Sequence, residues 1–150
     1  MKQPLNEMKL TFPSRSANEA FARSAVASFL SQLDPAVDEL ADLRTAVSEA
    51  VTNCIVHAYP DSIGSITIQM RLYADGRTVI KIRDRGCGIP DVPQAMEPLF
   101  TTGGDDRSGL GFSVMESFTD RLRVNSKPGR GTTVTMEKYI AVRERQAKAV

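Results

Sequence analysis

Several protein classes are excluded by what this chain of 150 residues lacks. It has two cysteines, Cys54 and Cys87, and one histidine, His57. The cysteines form no CxxC pair and are too sparse for a secreted disulfide framework, so reduced thiols are expected and a structural zinc site is not. No GxxxxGK[ST] occurs, which rejects Walker-type nucleotide binding. Charge bias is absent as well: 19 basic side chains nearly cancel 18 acidic ones. No global field therefore favours nucleic acid or an anionic membrane, and any anionic ligand must be captured locally. Residues 1–10 mix Lys2, Glu7 and Lys9 with isolated apolar positions, neither a secretory segment nor a membrane span, so a cytoplasmic location is expected.

What is present suffices for one core. A hydrophobic content of 41% over this length fits a single domain spanning 1–150, with a frayed basic tail at about 143–150. Alternation over 8–12 reads as a strand ended by Pro13. Ser16 and Glu19 have capping-box spacing before a helical stripe of Phe21, Ala22, Ala25, Val26, Phe29, Leu30 and Leu33. Asp34 before Pro35 predicts the start of a second, long helix carrying Val37, Leu40, Leu43, Val47, Ala50, Val51, Cys54, Ile55 and Ala58, and Pro60 closes it. Residues 66–72 and 79–82 flank the turn-like Ala74-Asp75-Gly76 as an antiparallel hairpin. A glycine- and charge-rich stretch over 84–111, with a short helix near 92–96, is longer than ordinary connections. A helix over 112–118 and a second hairpin about Lys127-Pro128-Gly129 follow. The order predicts an α+β fold, a two-layer sandwich with a mixed, mainly antiparallel sheet and helices on one face.

Four short elements carry chemistry: Glu49-Ala50-Val51-Thr52-Asn53, Asp84-Arg85-Gly86-Cys87-Gly88, Ser108-Gly109-Leu110-Gly111 and Gly129-Arg130-Gly131-Thr132-Thr133. Each alone is weak, because Glu and Asn four apart also suit a solvated helix face and Asp-Arg-Gly an ordinary turn. Glu49 and Asn53 share one face of the long helix. The amide oxygen suits a magnesium ion that keeps phosphate oxygens and waters as its other ligands, and the carboxylate suits a general base. Asp84 ends an apolar strand, and Gly86 and Gly88 follow where backbone must approach a flat ligand closely. The carboxylate can accept from the exocyclic amine of adenine, which guanine lacks at that position. Gly109 and Gly111 precede a helix whose free N–H groups suit phosphate, with Arg107 as a charged donor. Residues 101–106 have the small, polar composition of a mobile lid.

The order of these elements resembles the N, G1, G2 and GT boxes of the Bergerat-fold GHKL superfamily, over 43–136. Within it, Ser48-Glu49-Ala50-Val51-Thr52-Asn53-Cys54-Ile55-Val56-His57-Ala58-Tyr59, Pro98-Leu99-Phe100-Thr101-Thr102 and Arg107-Ser108-Gly109-Leu110-Gly111-Phe112 resemble the anti-sigma serine kinases, the sporulation type above all. The resemblance implies an ATP-dependent protein-serine kinase using ATP and Mg2+. Glu49 would be the base, Asn53 the metal ligand, and Asp84 and Thr132 would lie at the base. Gly86, Gly88, Thr101, Thr102, Arg107, Ser108, Gly109, Leu110, Gly111 and Phe112 would complete the ATP site. It also implies a homodimer, a sigma factor as captive and a serine of an anti-anti-sigma STAS protein as substrate, with no nucleic-acid or membrane partner. Cys87 inside the G1 box and two aspartates before Arg107 depart from the family pattern, and neither removes a proposed catalytic group.

A nucleotide-gated sigma-binding module with little kinase activity is the alternative. A sensor histidine kinase would need a phosphoacceptor helix pair, and His57 is expected to be structural. A gyrase- or MutL-like ATPase would need a larger transducer domain. Arg23, off the apolar stripe of the first helix, is available to an acidic sigma surface or to solvent.

Overall fold

Alternation of apolar and polar residues dictates a sheet with one dry face. In the computed structural model, which describes residues 3–96 and 111–141, that sheet has five strands, β1 (Asn6–Pro13), β2 (Ser65–Leu72), β3 (Arg77–Asp84), β4 (Arg121–Lys127) and β5 (Gly131–Tyr139). They lie in the order β1-β2-β3-β5-β4, and every pairing is antiparallel. The side chains of Ile66, Ile68, Met70 and Leu72 on β2 and of Ile80 and Ile82 on β3 are buried, while Lys81 and Arg83 between them are exposed. Each such aliphatic residue stabilises the fold by roughly 1.5–3 kcal/mol through removal from water.

The helices α1 (Ala17–Leu30), α2 (Val37–Asn53) and α4 (Gly111–Ser117) supply the second layer, and the four-residue α3 is Val92–Ala95. Ala22, Val26 and Leu30 of α1, Leu43, Ala46, Val47, Ala50 and Val51 of α2 and Met115 of α4 join the strands in one core. The expected two-layer α+β sandwich is therefore observed. Among the described residues, no helix is long and apolar enough to cross a membrane. The open face of the sheet is polar, and Lys9, Gln69, Lys81, Thr135 and Arg123 form one row across all five strands.

Both main helix starts differ from expectation. Ser16 precedes α1 but has helical backbone and makes no side-chain cap, and Glu19 pairs instead with Arg23. Asp34 does not cap α2: it closes a 3-10 turn, Ser31–Leu33, in the left-handed region, and Ala36 is the residue before the helix. Glu39 takes over part of the capping, accepting from the Ala36 N–H at 2.8 Å and from the Ala141 N–H at 2.9 Å. Two stripe residues, Phe21 and Val37, are exposed, although the Phe21 ring meets Phe12 edge-on at 6.4 Å. The long helix also changes character before Pro60. From Cys54 to Ala58 it widens into a π-helical turn, with the Tyr59 N–H reaching the Cys54 carbonyl at 3.2 Å. Such turns concentrate at functional sites. The basic tail lies outside the described residues.

Candidate functional site

The period-2 parity of β3 determines where Asp84 points. Thr78, Ile80, Ile82 and Asp84 share the buried face, so the last residue of the strand delivers a carboxylate beneath the end of α2. Its Oδ1 accepts from the Gly86 N–H at 2.9 Å and from the Thr132 N–H at 3.2 Å, and its Oδ2 accepts from the Cys54 thiol at 3.5 Å. Thr132 is buried on β5 beside β3, so two motifs about fifty residues apart meet through one carboxylate. Burial raises the Asp84 pKa above its ordinary value, and the Gly86, Cys54 and Thr132 hydrogen bonds oppose that rise. Burial, and then the negative charge of Asp84, push the Cys54 thiol well above its usual value.

Next to Cys54 in the chain, Asn53 and, one helical turn earlier, Glu49 are half-buried. The first residue of α4 closes on them. A Cβ added at Gly111 would lie 3.2 Å from the Asn53 Nδ2, 3.4 Å from its Oδ1 and 3.4 Å from the Glu49 Oε2. Three sequence-predicted residues thus come together, and Cys54, next in the chain after Asn53, links them to Asp84. A carboxylate and an amide half-buried beside a helix start, with a second carboxylate at the sheet end, provide one acceptor for a base amine, one oxygen for a hard cation and one proton acceptor.

The loop after β3 is fixed by the π-turn. The Ala58 carbonyl accepts from the Cys87 N–H at 3.0 Å, and the His57 carbonyl accepts from the Cys87 thiol at 3.1 Å. Tyr59 accepts from the Arg85 N–H at 2.6 Å and donates to the Ser65 carbonyl at 2.8 Å. The close neighbours of Gly86 and Gly88 are protein carbonyls: a Cβ at Gly86 would overlap that of Ala58, and one at Gly88 that of Lys127. The turn between β4 and β5 joins the same frame through the Gly129 N–H, which reaches the Cys87 carbonyl at 2.7 Å. Ser126 completes it. Its hydroxyl accepts from the Ile89 N–H at 2.7 Å, donates to the Gly131 carbonyl at 3.1 Å and sits 2.7 Å from the Thr132 hydroxyl.

Phe112 follows Gly111 into α4 and packs against the core. Arg23 lies away from this cleft on α1, 3.3 Å from Glu19. Thr101, Thr102, Arg107, Ser108, Gly109 and Leu110 lie outside the described residues. Cys54, Tyr59 and Ser126 have no individual role legible in the sequence. Cys54 was one more member of an apolar stripe, and the pairing partners of Tyr59 and Ser126 are set by loops distant in sequence.

A two-layer fold with an acidic residue at the sheet end and a Glu/Asn helix beside it defines the histidine kinase-like ATPase domain, and the profile of that family matches residues 12–138. Anti-sigma F factor of Caldanaerobacter subterraneus subsp. tengcongensis is 55% identical over 136 residues, covering 90% of this chain and 94% of the relative. Anti-sigma F factor of Geobacillus kaustophilus is 50% identical over 140 residues, covering 91% and 94%. The chain belongs to the histidine kinase-like ATPase family and, within it, to the anti-sigma F factors. Among solved structures, the RsbU and RsbW domains of Rv1364c from Mycobacterium tuberculosis share the fold at TM-score 0.67 and 22% identity, over 93% of this chain and 34% of that longer one. The mycobacterial sensor histidine kinase MprB does so at TM-score 0.56 and 18% identity, over 91% of this chain and 100% of that one.

Proposed function

We propose that the protein is an anti-sigma factor that binds ATP with Mg2+, holds a sporulation sigma factor of the sigma-F type as a homodimer, and phosphorylates a serine of the STAS-class antagonist. The observation that carries the nucleotide reading is that Asn53, Glu49 and Gly111 come together, as do Asp84, Thr132 and Cys54, with Cys54 next to Asn53 in the chain. The partners rest on the kinship with anti-sigma F factors over nine-tenths of the chain.

Asp84 orients the adenine, because a buried carboxylate accepts from an amine and repels a carbonyl at the same position. Glu49 accepts the proton of the attacking serine hydroxyl. Asn53 fits magnesium by its chemistry, a neutral oxygen donor at a half-buried position next to a carboxylate. Bound magnesium would neutralise charge on the phosphates. Gly111 fits a phosphate neighbour, since a side chain there would crowd the Asn53 amide. Residues 101–110 contribute the lid and further phosphate donors in this reading. Arg23, half-buried on α1 beside Glu19, serves the sigma factor.

The test is Glu49→Ala with ATP, the sigma factor and the antagonist. Binding of ATP and of the sigma factor should persist while phosphorylation falls by about 10²–10⁴-fold, the range for removal of a general base. Unchanged phosphorylation would remove Glu49 from that role. Undetectable phosphorylation by the unaltered protein, with sigma binding intact, would leave a nucleotide-gated binding module.

A further inference from the structure

We infer that Cys54 determines base specificity by positioning Asp84: its thiol fills one acceptor position of the carboxylate and leaves a single one open for the base. This rests on the adenine-nucleotide reading above. An ionised carboxylate offers about four lone-pair positions. The Gly86 and Thr132 N–H groups occupy both positions of Oδ1, at 2.9 and 3.2 Å. The Cys54 thiol, at 3.5 Å, occupies one position of Oδ2 from the helix side. Cys54 and Asp84 are 4% and 5% exposed, so bulk water does not compete for either. Among the described residues no donor takes the other direction of Oδ2, and a single N–H of a 6-amino purine fills it. A carbonyl in that place would face the same oxygen without a proton between them.

The donor also fixes the aim. Among the described residues, the thiol is the side-chain donor to Oδ2, while backbone N–H groups hold Oδ1. Without it, the helix-side position of Oδ2 has no donor, so the carboxylate can pivot on Oδ1 or admit a water there, and attraction for an amine and repulsion of a carbonyl both weaken. Discrimination should therefore suffer along with affinity. Cys54 is also the first residue of the π-turn and the direct neighbour of Asn53, so one stretch of backbone sets both the base end and the cation end of the cleft.

The test measures ADP and IDP binding by calorimetry in magnesium buffer on the full chain, for the unaltered protein, Cys54→Ser and Cys54→Ala. ADP carries the 6-amino group and IDP a carbonyl in its place. Cys54→Ala should weaken ADP about 3- to 10-fold, the scale of one ordinary hydrogen bond, as suits a weak thiol donor, and shrink the ADP-to-IDP preference by a similar factor. Cys54→Ser, which keeps a donor, should retain both within about 2-fold. Cys54→Val, which fills the space without a donor, should behave as Cys54→Ala and replaces it if alanine fails to fold. An unchanged preference in the donor-free variants, or an equal loss in Cys54→Ser, overturns the role of Cys54 alone. Absence of ADP binding by the unaltered protein overturns the nucleotide reading and this inference with it.

Discussion

The hydroxyl of Tyr59 bridges two backbones, accepting from the Arg85 N–H at 2.6 Å and donating to the Ser65 carbonyl at 2.8 Å. It ties the end of the π-turn that extends α2 to the loop after Asp84 and to the start of β2. The ring beneath is equally committed, since a Cβ at Gly64 would lie inside it. The loop after Asp84 is thus held by a side chain at the end of the π-turn.

Tyr59→Phe preserves that ring and deletes the bridge. Two backbone groups then lose their partner, which costs about 1–3 kcal/mol in stability where water cannot replace it. Urea unfolding should show a lower midpoint at unchanged slope. An unaltered midpoint would mean that solvent fills the place of the hydroxyl.

The turn between β4 and β5 allows conformational strain to be separated from overlap. Gly129 and Gly131 both have left-handed backbone, at φ 78° and 108°. A Cβ at Gly129 meets nothing within 4 Å, whereas one at Gly131 would overlap the Asp84 carbonyl. Gly129→Ala should therefore cost only about 1–2 kcal/mol, the price of the left-handed conformation. Gly131→Ala should cost more than about 3 kcal/mol or abolish folding, because β5 must move away from β3. Equal midpoints in thermal unfolding would refute the overlap.

Much of this was legible before any coordinates. Residues 66–72 alternate so regularly that their strand and its buried face can be read directly, with 79–82 across the turn as the hairpin partner, and Asp91 caps α3 through the Gln94 N–H at 3.1 Å where a short helix is expected. Glu49 and Asn53 are local, and helical periodicity alone puts them on one face. The pairing of β3 with β5 is different in kind. It joins segments separated by the whole glycine-rich excursion, and no pattern within either strand names its neighbour. The contact of Asp84 with Thr132 follows from that pairing, and its contact with Cys54 from the packing of the helix layer on β3. Asp34 misled for a related reason: it was read as a cap from local chemistry, but the chain needed a left-handed residue to leave the 3-10 turn. Gly86 and Gly88 are expected from the sequence to bring backbone against a flat ligand, and the close neighbours the structure gives them are protein carbonyls, of Ala58 in the π-turn and of Lys127 at the end of β4.

Gly111→Ala separates ligand binding from folding at the other end of the cleft. The added methyl would sit 3.2 Å from the Asn53 Nδ2, so the amide must shift by a few tenths of an ångström. Alanine also favours a helix over glycine by up to about 1 kcal/mol, which offsets the crowding. Stability should change by less than about 1 kcal/mol, while affinity for magnesium nucleotide falls about tenfold or more, equivalent to about 1.4 kcal/mol. Calorimetry beside urea unfolding checks both. Retained nucleotide affinity would separate Asn53 from the phosphate end.

Asp84→Asn should raise stability and lower affinity together. Burial lifts the Asp84 pKa above its ordinary value of 3.8, so between that value and the folded one the native state holds a proton that the unfolded chain has released. Stability contributed by this group is full below the unfolded pKa and is lost as pH rises through the folded pKa. At neutral pH the ionised carboxylate is therefore a net cost to the nucleotide-free fold. Asparagine keeps an oxygen for the Gly86 and Thr132 N–H groups and carries no charge. In urea unfolding without nucleotide, the variant should be at least as stable as the unaltered protein at pH 7, with the difference narrowing as pH falls through the window. Its adenine-nucleotide affinity should drop about tenfold or more, the scale of a hydrogen bond to a charged acceptor. A variant less stable than the parent at every pH would mean that the three hydrogen bonds outweigh burial, and that Asp84 serves the fold before it serves a ligand.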